Sequence, residues 1–188
     1  GKGGVGKSSV TLGLALNLIK KGFKVGVLDA DVYGPNIPIL LGLNEVDVLT
    51  NDQDGITKFV PINYIGLQIM SVGMLAKREQ GLAWRGPILT RLLNQFLYQV
   101  QWEDLDFLLI DLPPGTGDTQ ITILQDSPTI GMLLVTTSGI ASLSDLSRTI
   151  SMYKTFGMPI LGVVENLSSF KCPCCNSEYQ LFADNYSL

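Results

Sequence analysis

Histidine is absent from all 188 residues, which removes imidazole acid–base catalysis and imidazole metal ligands from consideration. Charge is sparse, at 16% of residues, with thirteen basic side chains against seventeen acidic and a net charge of −4. No long basic run occurs, so a nucleic-acid partner is not expected. No apolar stretch is long enough to cross a bilayer and no secretory leader is present, so no membrane partner is expected either. Cysteine is confined to Cys172, Cys174 and Cys175 near the end. That is too tight a cluster for a disulfide framework, and it fits a reduced compartment and metal chemistry. A starting Met is missing, as is the hydrophobic strand that should feed the first motif. The chain therefore reads as a fragment of a longer one, lacking a first strand and C-terminal elements.

What is present begins at once. Gly1-Lys2-Gly3-Gly4-Val5-Gly6-Lys7-Ser8 fits the phosphate-binding pattern G-x-x-x-x-G-K-[ST]. Glycines at 3, 4 and 6 let the backbone form a nest of N–H groups aimed at phosphate oxygens. A Cβ there would obstruct both positive φ and close approach of a ligand. Lys7 would sit against the β and γ phosphates of ATP, and the Ser8 hydroxyl would ligate Mg²⁺. Ser9 extends the cofactor-binding run from Gly1, and the helix starting near Ser8 adds its positive dipole end. With Lys2 the loop resembles the deviant Walker A loop of MinD-like ATPases. That resemblance implies a lysine reaching across a dimer interface to the partner's nucleotide.

With 46% hydrophobic residues, a folded α/β protein is expected, as one domain over 1–188. Val10 to Lys21 reads as a buried helix stopped by Gly22, and Lys24 to Leu28 as a strand ending at Asp29. Residues 31 to 38 read as a Gly/Pro loop, and 44 to 66 as a polar excursion with short strands at Lys58 to Pro61 and Leu67 to Ser71. An amphipathic helix starts at Pro87, and a buried strand covers Phe107 to Ile110. A further strand covers Ile130 to Val135, then a helix through Leu143, Leu146, Ile150 and Tyr153 closes at Gly157. Ile160 to Val164 is the last strand. This alternation implies a mostly parallel α/β sheet with right-handed crossovers.

Acids at the carboxyl ends of parallel strands lie where ligands bind. Asp29 and Asp31 are such a pair, of which one would face the nucleotide and the other serve structure. Leu108-Leu109-Ile110-Asp111 has the Walker B pattern, with Asp111 on the Mg²⁺ side. The loop Pro113 to Asp118 is switch-like, and Gly115 is placed to offer its N–H to the γ-phosphate. Asn166 follows a strand, and its amide suits a purine edge. Cys172 and Cys175 are spaced C-x-x-C, which turns two thiolates toward one metal centre. Two are half of a four-sulfur site, so a second subunit, or Cys174 with an outside ligand, must complete it. Zinc and iron–sulfur both accept such ligands.

Together these motifs resemble the Mrp/ApbC family of iron–sulfur cluster carrier ATPases. The residues that carry the likeness are Gly1 to Ser8, Leu28 to Pro35, Trp84-Arg85-Gly86-Pro87, Ile110 to Asp118, Val164 to Ser168 and the C-P-x-C segment Cys172 to Cys175. The resemblance implies a MinD/SIMIBI-like P-loop NTPase sheet flanked by helices on both faces. It further implies a homodimer that binds and slowly hydrolyses ATP, with Asp31 positioning the attacking water beside Mg²⁺. A [4Fe–4S] cluster would lie between subunits on Cys172 and Cys175, within the 170–176 segment, for transfer to apo iron–sulfur proteins. A cytoplasmic location follows, or an organelle matrix in a eukaryote. Two departures stand out: Cys174 is an extra thiol that would compete as a ligand, and Thr137-Ser138-Gly139 replaces the family's T-P-Q. A MinD- or ParA-like spatial-organisation ATPase, and a metabolic P-loop enzyme with a zinc knuckle, are the alternatives.

Overall fold

The computed structural model describes residues 3–31, 34–43, 46–53, 56–76, 86–115, 120, 121, 123 and 127–181. The chain divides into two compact units. One holds residues 7–113 and 117–128, and the other holds 1–6, 114–116 and 129–188.

The larger unit is built on a four-stranded sheet. Its strands are β1 (Val25–Asp29), β4 (Ile62–Tyr64), β5 (Leu67–Ser71) and β6 (Phe107–Asp111), in the order β4-β5-β1-β6. β5, β1 and β6 run parallel, and β4 is an antiparallel edge. β1 and β5 are buried at every position, the signature of strands covered on both faces. Helix α1 (Lys7–Lys20) packs against β1, β5 and β6, burying Leu12 and Ala15. The chain leaves α1 through Gly22 at φ +90°, where its N–H caps Ile19.

Several expectations shift here. Leu67–Ser71 was expected as a short strand within or beside a polar excursion. It is instead an interior strand, with Leu67, Ile69 and Met70 fully buried. The excursion itself is the antiparallel pair β2 (Leu49–Gln53) and β3 (Ile56–Val60). Residues 31–38 are only partly loop, since α2 (Asn36–Leu40) begins there. Its Pro38 lies in the first turn, where the missing N–H would have had no intrahelical partner. A short α3 (Val72–Ala76) follows β5, and α4 (Gly86–Gln99) brings Leu93 and Phe96 into the core, Phe96 stacked on Phe59 at 4.9 Å.

In the smaller unit, β7 (Met132–Thr136) and β8 (Ile160–Glu165) form a parallel pair linked by α5 (Ile140–Thr155). Beyond β8, the antiparallel hairpin β9 (Ser169–Lys171) and β10 (Glu178–Gln180) carries the cysteines in its turn. The fold class is therefore the expected one, a mostly parallel central sheet with helices. Trp84 and Arg85 lie outside the described residues.

In the larger unit, the first turn of α3 is packed closely against Pro35, the residue that leads into α2. A Cβ on Gly73 would stand 2.3 Å from both Cβ and Cγ of Pro35, and a proline ring has little room to yield. Gly73→Ala should therefore destabilise the protein by about 1–3 kcal/mol. Thermal unfolding should show a midpoint lower by several degrees, and an unchanged midpoint would refute this packing.

Candidate nucleotide and thiol sites

In the larger unit the strand-end acids are side by side. Asp29 of β1 is the register partner of Asp111 of β6 and of Ser71 of β5. Both acids are buried, and the Asp111 carbonyl accepts the N–H of Ala30 at 2.9 Å. Their surroundings differ. Asp29 Oδ1 accepts the N–H of Asp31 at 3.1 Å, while its Oδ2 accepts the N–H of Ile37 and the Ser71 hydroxyl, each at 3.2 Å. Burial outweighs these bonds and pushes its carboxyl up to about 7. This acid ties the following loop and β5 to the end of β1.

Asp111 is matched to α1 instead. The hydroxyl of Ser8 donates to it, and Thr11 Oγ1 donates to its Oδ1 at 3.4 Å. Burial raises the Asp111 carboxyl, with the Ser8 bond and the Lys7 charge opposing that shift. Burial likewise lowers Lys7, against the charges of Asp111 and Asp31. Lys7, Ser8, Asp31 and Asp111 are thus electrostatically linked, as the motifs suggested. A half-buried ammonium whose charge is costly gains from a phosphate, and a buried carboxylate beside a serine hydroxyl suits a hard divalent cation such as Mg²⁺. The residues present therefore fit Mg²⁺. Asp31 Oδ1 accepts the N–H of Gly34 at 3.1 Å, which orients its carboxyl.

In the smaller unit lie the glycines of the loop. Gly4 and Gly6 have φ of +80° and +89°, and Gly115 has +95°. Such values are costly for any residue with a Cβ, which explains why the motif demands glycine. Asn166 Nδ2 donates to the Val5 carbonyl at 2.9 Å, and a Cβ on Gly6 would lie 2.3 Å from that nitrogen. The residue expected at a purine edge therefore holds the loop's backbone. A carboxamide has a second N–H and a carbonyl oxygen, so this bond is compatible with a purine contact. Sequence reasoning missed the grip on Val5, since nothing local relates residues 161 apart. A cavity of about 370 Å³ opens between Gly3–Val5, Thr137, Ser142 and Leu167. Thr137 and Gly139 of the altered segment line it, with Thr137 donating to the Ser142 hydroxyl at 2.9 Å. Gly1, Lys2 and residues 116–118 lie outside the described residues, so the expected roles of Gly1 and Lys2 have no geometry to set beside them.

The thiols are arranged by the β9–β10 turn. The Cys172 N–H donates to the Ser177 carbonyl and the Asn176 N–H to the Cys172 carbonyl, each at 2.9 Å, with Asn176 at φ +57°. The neighbouring Ser177 hydroxyl and N–H, with the Cys172 thiol, hold the Cys175 thiol below the usual range. Among the described residues, no group of three or more Cys, Asp or Glu is gathered to hold a metal ion. Cys174 is exposed. No described helix is long and apolar enough to cross a membrane.

A parallel sheet with acids at its strand ends, a lysine and serine opening α1, and a loop of left-handed glycines define a P-loop nucleotide-binding protein. More narrowly, the chain belongs to the ParA-type family described as NUBPL iron-transfer P-loop NTPase, whose model it matches over residues 1–187. It is similar to the iron-sulfur cluster carrier protein of Helicobacter pylori, with 46% identity over 185 residues, 98% of this chain and 50% of that one. The chain spans about half the length of that relative and of the carrier protein of Aquifex aeolicus. Among solved structures it is similar to a nucleotide-binding protein of Archaeoglobus fulgidus in complex with ADP. The TM-score there is 0.81 with 38% identity, covering 97% of this chain and 70% of that one. The septum site-determining protein MinD of Pyrococcus horikoshii, complexed with Mg-ADP, matches with TM-score 0.62 over 88% of this chain and 66% of that one. At 23% identity that likeness concerns the fold alone. The family and fold expected from the motifs are those found.

The two positive-φ glycines separate two physical effects. Alanine at either position incurs a conformational cost of roughly 1–2 kcal/mol, but at Gly4 a Cβ meets nothing within 4 Å. Gly6→Ala should therefore lower the unfolding midpoint and the ADP affinity more than Gly4→Ala. Equal losses would show that the Asn166 contact imposes no constraint.

Proposed function

We propose that the chain is the nucleotide-binding and thiol-bearing part of an ATP-dependent iron–sulfur cluster carrier. It would work as a homodimer and pass its cluster to apo iron–sulfur proteins. The observation that carries this reading is the pair of free thiols Cys172 and Cys175, together in one hairpin turn, with no group of three metal-ligating side chains among the described residues. Two thiolates per chain are half of the four that a [4Fe–4S] cluster takes, and a second copy supplies the rest. Beside them, the cross-strand pair Phe170 and Tyr179 is about half exposed, as suits a face that meets another chain. Membership of an iron-transfer family and the names of the relatives support the same direction.

The phosphate-loop sequence Gly1 to Ser9 binds ATP on this reading, with Lys7 neutralising phosphate charge and Ser8 and Asp111 holding Mg²⁺. Gly115 offers its N–H to the γ-phosphate, and Lys2 reaches the partner's nucleotide. Asp31 positions water, whose oxygen bonds the γ-phosphorus as the bond to the bridging oxygen breaks. ADP and inorganic phosphate leave. Mg²⁺ supplies charge neutralisation along that bond when bound.

Anaerobic reconstitution of the full-length protein with iron and sulfide tests the cargo. About four iron and four sulfide per dimer are expected, lost in Cys172→Ser or Cys175→Ser and kept in Cys174→Ser. Tight zinc without bound sulfide would overturn the carrier reading in favour of a structural knuckle. Lys7→Ala tests the nucleotide role separately. ATP turnover should fall by roughly 100-fold or more, whereas full turnover would remove Lys7 from the phosphates.

A further inference from the structure

Asn166 stands at a junction in the smaller unit. Its backbone N–H donates to the Thr136 carbonyl at 2.8 Å, and its side chain donates to the Val5 carbonyl at 2.9 Å. The next residue, Leu167, has φ +56°, a left-handed conformation that costs a branched side chain about 1 kcal/mol or more. The residue after that, Ser168, accepts the N–H of Leu181 at 3.2 Å, which closes the base of the cysteine hairpin. One strained residue therefore separates the grip on the phosphate loop from the foot of the hairpin that carries Cys172 and Cys175.

The grip also has a direction. The Val5–Gly6 peptide is planar and trans, so its carbonyl and its N–H point to opposite sides. With the carbonyl held by Asn166, the Gly6 N–H faces away from that side chain. A phosphate nest needs its amides turned to one side, and this donor is aimed by the bond to Asn166. The close approach at Gly6, where a Cβ would stand 2.3 Å from Nδ2, leaves the amide little freedom to take another position.

We propose that Asn166 is a positioning residue that ties the aim of the Gly6 N–H, and with it phosphate occupancy, to the conformation of the cysteine hairpin through the strained Leu167. Phosphate bound at Gly6 fixes the Val5–Gly6 peptide plane, that plane fixes the Asn166 side chain, and the turn at Leu167 carries the change to Ser168. In the empty loop the bond from Asn166 alone holds this plane, and a phosphate on the Gly6 N–H adds a second hold that stiffens the turn at Leu167. The inference rests on the carrier reading only for its purpose, since it concerns metal-free thiols and nucleotide alone.

The test uses full-length, metal-free protein under anaerobic conditions, with Mg-ADP and a non-hydrolysable Mg-ATP analogue at saturation. Iodoacetamide alkylation rates of Cys172 and Cys175 are followed by peptide mass spectrometry, with and without nucleotide. The wild type should show rates that differ about fivefold between the two states. Asn166→Asp keeps the shape of the side chain but removes its donor, and Asn166→Ala removes both. In each, nucleotide affinity should fall by roughly tenfold, and at saturation the alkylation ratio should fall close to one. Thermal unfolding checks that the variants are folded. A variant that binds nucleotide at saturation yet keeps the wild-type ratio overturns the proposal. So does a wild type whose hairpin thiols and residues 168–181, followed by hydrogen exchange, do not respond to nucleotide. Failure to load iron and sulfide would remove the carrier function while leaving this coupling result untouched.

Discussion

Two buried acids in register, Asp29 and Asp111, set the constraint on which the larger unit depends. Neighbouring carboxylates at the ends of parallel strands are costly when both are charged and dry. The chain separates them chemically. Asp29 is surrounded by donors from its own sheet and the following loop, namely the N–H groups of Asp31 and Ile37 and the hydroxyl of Ser71. Burial still raises it to about 7, so its charged form depends on those fixed donors. Asp111 instead meets Ser8, Thr11 and the charge of Lys7, groups that open α1 directly after the glycine loop. The division of labour between two identical side chains follows from which donors surround each.

The same logic of shared backbone applies in the smaller unit. The loop glycines contribute no side chain, so their aim must be set by whatever holds their carbonyls. Asn166 does this for Val5, and it is itself held by the strand pair through Thr136. A purely local glycine turn would be soft, because glycine has the widest choice of backbone angles. A bond from the far end of the chain removes that softness at Gly6 while Gly4 stays open to solvent space. The hairpin beyond Leu167 is closed by its own short ladder and by the Leu181 to Ser168 bond. These bonds connect the foot of the hairpin to the turn that carries the thiols.

Legibility from sequence follows the range of each interaction. The phosphate loop was legible because its chemistry is contiguous, with the four specified positions of its pattern lying within eight residues. The strands β1 and β6 were legible because each is an apolar run closed by an acid. β5 was read with its observed bounds but not as an interior strand, because Gln68 and Ser71 make its pattern look half-polar, yet both side chains are buried. Gln68 spends its carbonyl on the Glu103 N–H at 2.8 Å, and Ser71 spends its hydroxyl on Asp29, partners that no window around β5 contains. α2 was hidden by Pro35 and Pro38, which read as loop until the first-turn position of Pro38 is known. Asn166 shows the limit most clearly. Its residue type announced hydrogen bonding, but whether it served a base edge or a carbonyl depended on a residue 161 positions away. Pattern reveals which groups are able to bond, and only the fold decides with which partner they do so.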